Sequence, residues 1–166
     1  MDKDAVRKIL HAGLLALRLE GLWLGALVEG PSGAGKSDLA LRALDRGFRL
    51  VADDRVVVFA SGGALFGRAP KPLAGLIEVR GLGVTALASL PYCRIGLRVR
   101  LVDDEVERLP EPAMEPLLGL ALPAAPLRPF EASAPARLAL LLEHLGARAL
   151  RRYQAPFAPP GGRVGG

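Results

Sequence analysis

The chain has 166 residues, of which 51% are hydrophobic, and this length and composition suit one domain with a sizeable core. The net charge is +5, but only 5% of the residues are aromatic and they do not cluster with arginine, so we expect no nucleic-acid partner. The single cysteine, Cys93, excludes an internal disulfide and a zinc site of paired cysteines, and it fits a reducing cytoplasm.

The first predicted elements are two strands, at residues 9–17 and 22–28, with His11 on the first of them. The polar corner 18–21 reads as the turn between them. Charged residues interrupt this apolar stretch, and the N-terminus lacks the basic start of a signal peptide. We therefore expect no membrane span.

A phosphate-binding loop follows the second strand. Its sequence is Gly30-Pro31-Ser32-Gly33-Ala34-Gly35-Lys36-Ser37. Gly30, Gly33 and Gly35 let the backbone turn through positive φ, so that several N–H groups face one anion at the positive end of the next helix. Lys36 is expected to reach the terminal phosphates, and the Ser37 hydroxyl to hold Mg²⁺. Apolar residues at helical spacing behind the loop complete the strand-loop-helix context that the motif requires.

Two adjacent carboxylates end the next predicted strand. Gly47 is placed as the C-cap of the loop helix, residues 48–52 form a short apolar strand, and Asp53 and Asp54 follow. One carboxylate can approach the Mg²⁺ shell, while the other accepts the proton of an attacking hydroxyl. The alternative is that the two aspartates have no function and form an ordinary solvent-exposed turn.

The middle of the chain carries a second pair of charges. Residues 55–60 and 64–68 predict a hairpin, and residues 76–84 predict a strand on which Glu78 and Arg80 face the same side. These side chains could serve Mg²⁺ and a transferring phosphate, or they could form an ordinary exposed ion pair.

The remaining elements indicate less chemistry. Residues 94–102 alternate between apolar and polar, which predicts a strand with apolar positions 95, 97, 99 and 101 on one face and two arginines on the other. The arginine face is either exposed to solvent or a docking site for an acidic partner. Residues 123–129 predict a proline-rich connection, and Ser133 caps a helix that ends at Gly146. We expect one domain over residues 1–146 and a flexible tail over residues 147–166.

Together, these motifs resemble the HPr kinase/phosphorylase family, in a compact form that lacks the N-terminal domain of longer members. The resemblance runs over residues 11–145 and rests on His11 with the strand pair, the loop 30–38, and the segments 50–56 and 78–84. The last segment is the most diagnostic, because ordinary P-loop ATPases do not carry it. The resemblance implies an α/β P-loop kinase with a mixed sheet, a strand-loop-helix core and flanking helices.

The resemblance also implies a reaction. Family members transfer a phosphoryl group from ATP, or in some cases pyrophosphate, to a serine of HPr, a small phosphocarrier of a phosphotransferase system, with Mg²⁺ as cofactor. By resemblance, His11, Lys36, Asp54 and Arg108 match catalytic positions and Ser37 and Glu78 are associated with the metal, while Asp53 and Arg80 have supporting places. Asp54 would take the serine proton in the kinase direction and return it in reverse. A homo-oligomer is implied, but the ring-shaped hexamer of longer members does not carry over without their N-terminal domain.

The chain departs from the family in the segment used for dephosphorylation. Only Pro126-Leu127-Arg128-Pro129 is similar there, and Phe130-Glu131-Ala132-Ser133 follows. Phosphorylase activity is therefore left open. Two other functions remain as alternatives: a regulatory module that senses nucleotide and transfers nothing, and a small-molecule kinase or simple NTPase.

Overall fold

The computed structural model describes residues 7–106, 113–148 and 150. It contains a nine-stranded mixed sheet and a separate two-stranded hairpin. The strands are β1 (Arg7–Leu10), β2 (Ala12–Leu19), β3 (Leu22–Glu29), β4 (Arg49–Ala52), β5 (Val56–Ser61), β6 (Ala64–Arg68), β7 (Leu76–Val79), β8 (Gly83–Ala86), β9 (Cys93–Leu101), β10 (Ala113–Leu117) and β11 (Leu120–Leu127). The helices are α1 (Lys36–Leu44) and α2 (Ala134–Leu141), with a 3₁₀ turn at Lys71–Leu73 and a π-helical turn at Leu142–Gly146.

The nine-stranded sheet is organised around β3 and β9, which run parallel. β2 lies antiparallel between β3 and β4. Along the other edge of β9, β6 pairs antiparallel with its beginning and β11 pairs parallel with its end. The predicted strand-loop-helix unit is present as β3, the loop and α1, and the predicted hairpin is present as β5 and β6. The predicted mixed α/β fold is therefore confirmed.

Each face of the sheet carries an apolar cluster. One cluster includes Leu15 of β2 with Leu39 of α1 and Leu138 of α2, all three at most 1% exposed. The other includes Leu14 of β2 and Val58 of β5, and both are completely buried. Because successive strand residues point to opposite faces, Leu14 and Leu15 place the two clusters on the two sides of the sheet. The phosphate-binding loop thus leaves a strand that is fixed from both faces.

A β-bulge changes the predicted faces of β9. The register against β3 pairs Gly25 with Ile95 and Ala26 with Leu97, which leaves Gly96 as the extra residue. Ile95 therefore packs in the cluster around Leu14, whereas Leu97 packs in the cluster that contains the helices. The prediction of one shared apolar face was right for positions 97, 99 and 101 and wrong for Ile95.

Gly96 has no room for a side chain. A Cβ at this position would lie 2.6–2.8 Å from three side-chain atoms of Leu24. We expect Gly96→Ala to lower the free energy of unfolding by about 1–3 kcal/mol, because the packed core has to shift around the added methyl. Urea unfolding measures this, with Gly13→Ala as the control, since a Cβ at Gly13 would meet Ala52 O at an ordinary 3.7 Å. Equal unfolding midpoints for the two variants would contradict the packing argument.

The segment 123–129, predicted as a proline-rich connection, is a strand as far as Leu127. β11 pairs with β10 up to Ala124 and with β9 from Ala124 onward. Within the described residues, each half of β11 therefore has a neighbouring strand on one side. Such a strand accepts Pro123 and Pro126 wherever the proline nitrogen faces the open side, because no ladder hydrogen bond is then lost.

The C-terminal helix begins where it was predicted to begin and continues further. Ser133 occupies the N-cap position but makes no side-chain cap hydrogen bond. Helical residues continue at 147 and 148, so the prediction that Gly146 ends the helix was wrong. Gly146 instead permits a close approach, since a Cβ there would lie 3.1 Å from Gly96 O.

Two predictions lie mostly or wholly outside the described residues. Arg108 falls in the segment 107–112, and most of the predicted flexible tail falls at residue 149 and residues 151–166. Both stay predictions. In the part of the chain that is described, no helix is long and apolar enough to cross a bilayer.

Candidate active site

The loop between β3 and α1 has the backbone of an anion site. Gly33 and Gly35 have φ of 81° and 98°, as predicted. Gly30 does not adopt positive φ, so that part of the prediction was wrong. A Cβ at Gly30 would lie only 2.9 Å from Ala34 Cβ, so this position requires glycine because it has no space for a side chain. α1 starts at Lys36 without a side-chain cap, which leaves its first N–H groups available to an anion.

Lys36 is folded back into the loop. Its Nζ donates to Gly30 O at 2.6 Å and to Pro31 O at 3.0 Å. The residue is only 8% exposed, and the two carbonyls satisfy an ammonium group that has lost most of its hydration. The loop therefore holds a positive charge beside the end of α1 that favours anions.

Ser37 connects the loop to the end of β4. Its Oγ donates toward both carboxylate oxygens of Asp53, at 2.9 and 3.0 Å, and the Glu78 N–H donates to Asp53 Oδ2 at 3.3 Å. Burial raises the pKa of Asp53 above its ordinary value, and the charge of Asp54 adds to this, whereas the hydrogen bonds from Ser37 and Glu78 and the charge of Lys36 lower it.

Asp54 faces a histidine from a distant part of the chain. Its Oδ1 lies 2.6 Å from His11 Nε2. His11 was predicted to lie on a strand, but it occupies the break between β1 and β2. The Ala12 N–H donates to Asp54 O at 3.1 Å, and Asp54 has a φ of 67°, in the left-handed region. A residue other than glycine in this region is held there by its surroundings, which here fix the carboxylate beside His11. Both side chains are about half exposed, at 58% for Asp54 and 47% for His11, so the carboxylate is accessible to a second reactant.

Residues 76–84 do not form the single strand that was predicted. They form β7, a turn and the start of β8, with Gly81 and Gly83 both at a φ of 84°. Glu78 lies on β7 with its N–H at Asp53, while Arg80 is exposed in the turn. No ion pair joins Glu78 and Arg80 within the described residues. Of these two residues, only the backbone N–H of Glu78 contacts the site in the described part of the chain, and Glu78 is otherwise exposed.

The oxygen atoms of this site fit Mg²⁺. Across the described ranges, no group of three or more His, Cys, Asp or Glu side chains is placed to hold a metal ion. Mg²⁺ does not require such a cage, because proteins usually bind it through one or two carboxylates together with substrate phosphates and water. The Ser37 hydroxyl and the Asp53 carboxylate are the residues that would hold it, next to the loop that favours phosphate.

Comparison with known proteins shows which family the chain belongs to. The sequence model of the HPr Serine kinase C-terminal domain matches residues 3–93, which is more than half of the chain. The chain belongs to the HPr kinase C-terminal domain family. The family resemblance inferred from the motifs is therefore confirmed.

Several HPr kinase relatives are similar to the chain. The HPr kinase/phosphorylase of Leptothrix cholodnii is 42% identical over 113 residues, covering 60% of this chain and 35% of that protein. The HPr kinase/phosphorylase of Azoarcus sp. is 38% identical over 140 residues, covering 75% of this chain and 44% of that protein. The solved Hpr(Ser) kinase/phosphatase from Coxiella burnetii superposes with a TM-score of 0.71 at 25% identity, covering 88% of this chain and 99% of that one. The chain thus spans less than half of the length of either curated relative.

Sequence reasoning missed one part of the site, at the segment where the chain departs from the HPr kinase pattern. Arg42 of α1 donates from Nη2 to Pro129 O and from Nη1 to Glu131 O, the latter at 3.3 Å. Its Nε donates to Asp38 at 2.9 Å, and the i, i+4 spacing of Asp38 and Arg42 was a signal for that bond alone. The contacts to the segment after β11 span almost ninety residues of sequence, so no local pattern reports them.

Proposed function

We propose that the chain is the catalytic domain of an ATP- and Mg²⁺-dependent protein-serine kinase that phosphorylates an HPr-type phosphocarrier of a phosphotransferase system. The observation that carries the proposal is the pair of contacts at the end of β4, where Asp53 meets Ser37 of the loop and Asp54 meets His11. One aspartate is thereby directed to the phosphate site, and the other is held by a histidine that orients it. Family membership and the names of the relatives support HPr as the acceptor.

Positioning and charge account for most of the proposed catalysis. The loop and Lys36 hold the phosphates of ATP, and Ser37 and Asp53 hold Mg²⁺, which when bound neutralises phosphate charge. The serine hydroxyl of the acceptor attacks the γ-phosphorus as Asp54 accepts its proton, and the bond from that phosphorus to the leaving oxygen of ADP breaks. Glu78, which adjoins Asp53, is a further metal-associated residue in this proposal, and Arg108 is a catalytic cation.

His11 acts by orienting the base. Its Nε2 lies 2.6 Å from Asp54 Oδ1, and Ala12, the next residue, binds the Asp54 carbonyl. The carboxylate is thus held through both its side chain and its backbone before the acceptor arrives. Such preorganisation lowers the cost of reaching the reactive geometry.

The same residues support the reverse reaction. Inorganic phosphate would attack the phosphoserine phosphorus, the bond to the serine oxygen would break, and protonated Asp54 would return its proton to that oxygen. Pyrophosphate, the product of that reaction, is then an alternative donor in the kinase direction. As the family resemblance implies, we place the enzyme in the cytoplasm and expect it to act as a homo-oligomer.

A nucleotide-sensing module that transfers nothing is the second candidate. The segment Phe130-Glu131-Ala132-Ser133 favours it, because the family resemblance implies a more basic segment there for dephosphorylation. Intact-mass analysis of an HPr-type protein after incubation with the chain and MgATP separates the two functions, with magnesium pyrophosphate in a parallel reaction. We expect a gain of one phosphoryl group, reversed by inorganic phosphate if phosphorolysis is retained. Nucleotide binding without any mass gain would instead establish the sensor.

A further inference from the structure

Phe130 is an exposed aromatic side chain at the edge of the phosphate-binding loop. The residue is 64% exposed. A Cβ added at Gly35 would lie 2.8 Å from Phe130 Cζ and 2.9 Å from Cε1, so the ring rests on the loop immediately before Lys36. One side of the ring therefore contacts the loop while most of its surface is open to solvent.

The backbone on both sides of Phe130 is held by one guanidinium. Arg42 donates to the carbonyl of Pro129 and, at 3.3 Å, to the carbonyl of Glu131. Asp38, in the first turn of the same helix, fixes that guanidinium through a bond of 2.9 Å to Nε. The backbone that carries the ring is thus fixed to α1, the helix that follows the phosphate-binding loop. This attachment distinguishes Phe130 from an ordinary exposed apolar residue.

The neighbouring acidic residue is neutralised. Glu131 pairs with Arg128 at 3.3 Å and with Arg137 at 2.8 Å. Its carboxylate is therefore not an isolated negative charge that would repel phosphates bound at the loop. The segment presents an apolar ring beside the anion site at little electrostatic cost.

We propose that Phe130 is the stacking platform for the base of a nucleoside triphosphate donor. The inference rests on the proposed function, in which the loop holds the phosphates of that donor. The ring contacts the loop at Gly35, and we place the base of a loop-bound nucleotide over its exposed face, because a base offers the flat apolar face that matches the ring. Stacking tolerates base identity, because every base has a π-face, so ATP and GTP bind with similar affinity. Pyrophosphate has no base and uses the loop alone.

Binding measurements with two ligands test the platform. Calorimetry with MgATP and with magnesium pyrophosphate is carried out on the wild type, Phe130→Ala and Phe130→Tyr. We expect Phe130→Ala to raise the Kd for ATP about ten-fold and to leave the Kd for pyrophosphate within about two-fold, while Phe130→Tyr keeps both. Tyr92→Ala is the matched control, because Tyr92 is also an exposed aromatic, at 58%, and packs edge-on against Phe66 instead of the loop. It should change neither Kd.

Fluorescence provides a second measurement. Trp23, the one tryptophan of the chain, is half-buried in β3 and can be replaced by phenylalanine to give a dark background. In that background, Phe130→Trp should be quenched when MgATP binds and should not respond to magnesium pyrophosphate, because only the base stacks on the new indole. Equal quenching by both ligands would overturn the platform.

The remaining outcomes separate this inference from the proposed function. If the wild type binds both ligands and Phe130→Ala binds both unchanged, the platform is overturned and the phosphate site stands. Equal losses for both ligands would show that Phe130 only supports the loop. An unchanged Kd for ATP with a raised KM for the HPr-type protein would make the ring a protein-docking residue. If the wild type binds neither ligand, the proposed function itself fails and the platform fails with it.

Discussion

Asp54→Asn is expected to lower the rate of phosphoryl transfer to an HPr-type protein by about 10²–10⁴-fold and to leave the Kd for MgATP within about two-fold. The amide has the shape of the carboxylate but cannot accept the serine proton. Asparagine also tolerates the left-handed backbone at this position, where φ is 67°, so the turn should remain intact. The loss should therefore appear in the chemical step and not in nucleotide binding.

Single-turnover kinetics with a saturating HPr-type acceptor measures that step, and calorimetry measures nucleotide binding. Asp45→Asn is the control, because Asp45 is an exposed aspartate at the C-cap of α1 without a contact to the loop or to His11 among the described hydrogen bonds. A normal transfer rate in Asp54→Asn would remove Asp54 from the role of base. An equal loss in both variants would indicate a general effect of charge.

The phosphate-binding loop could be predicted from sequence because its determinants are local. Gly33, Gly35, Lys36 and Ser37 are close in the chain, and the helix behind them has its own periodicity. The contact of Ser37 with Asp53 crosses only one helix and one strand, and the motif order indicated that one of the two adjacent aspartates approaches the loop. Loop, helix and short hairpins follow from neighbouring residues alone.

Contacts between distant strands could not be derived in this way. His11 and Asp54 are 43 residues apart and meet because β2 pairs with β4. Residue spacing does not predict this pairing, and only the family resemblance indicated that both residues belong to the catalytic site. Arg98 was predicted to lie on a solvated face or to meet an acidic partner. It instead binds Glu29 of the neighbouring β3 at 2.8 Å and is 16% exposed, so its acidic partner belongs to the same chain.

Irregular backbone was the other source of error. A strict alternation of apolar and polar residues describes a regular strand. The extra residue Gly96 breaks that alternation, so Ile95 and Leu97 point to opposite faces of the sheet. Gly81 and Gly83 lie in the turn of a hairpin, and this turn separates Arg80 from Glu78 on β7. In each case glycine marks the irregularity, but the sequence does not state whether it serves a turn, a bulge or a close contact.

Asp53→Asn is expected to weaken the Mg²⁺-dependent binding of ATP by about 10–100-fold, because the amide replaces a carboxylate beside the metal-binding hydroxyl of Ser37. The change should leave the Ser37 hydrogen bond in place, since the amide oxygen accepts it as the carboxylate does. Calorimetry with and without Mg²⁺ isolates the loss. An unchanged Mg²⁺ dependence would exclude Asp53 from the metal site.

The same variant has an opposite effect on stability. Burial raises the native pKa of Asp53 above its ordinary value of 3.8, so the folded chain binds this proton more tightly than the unfolded chain does. The contribution of Asp53 to the free energy of unfolding is therefore favourable at acid pH and declines as the pH rises from 3.8 through the native pKa. Without Mg²⁺ and nucleotide, Asp53→Asn should be at least as stable as the wild type at neutral pH, and its stability should fall less between about pH 4 and pH 7. Urea unfolding at several pH values tests this, with Asp45→Asn retaining the wild-type slope. If the variant is less stable than the wild type at pH 7 and has the same pH slope, the argument is wrong. The ionised Asp53 carboxylate would then not destabilise the folded chain in the absence of Mg²⁺.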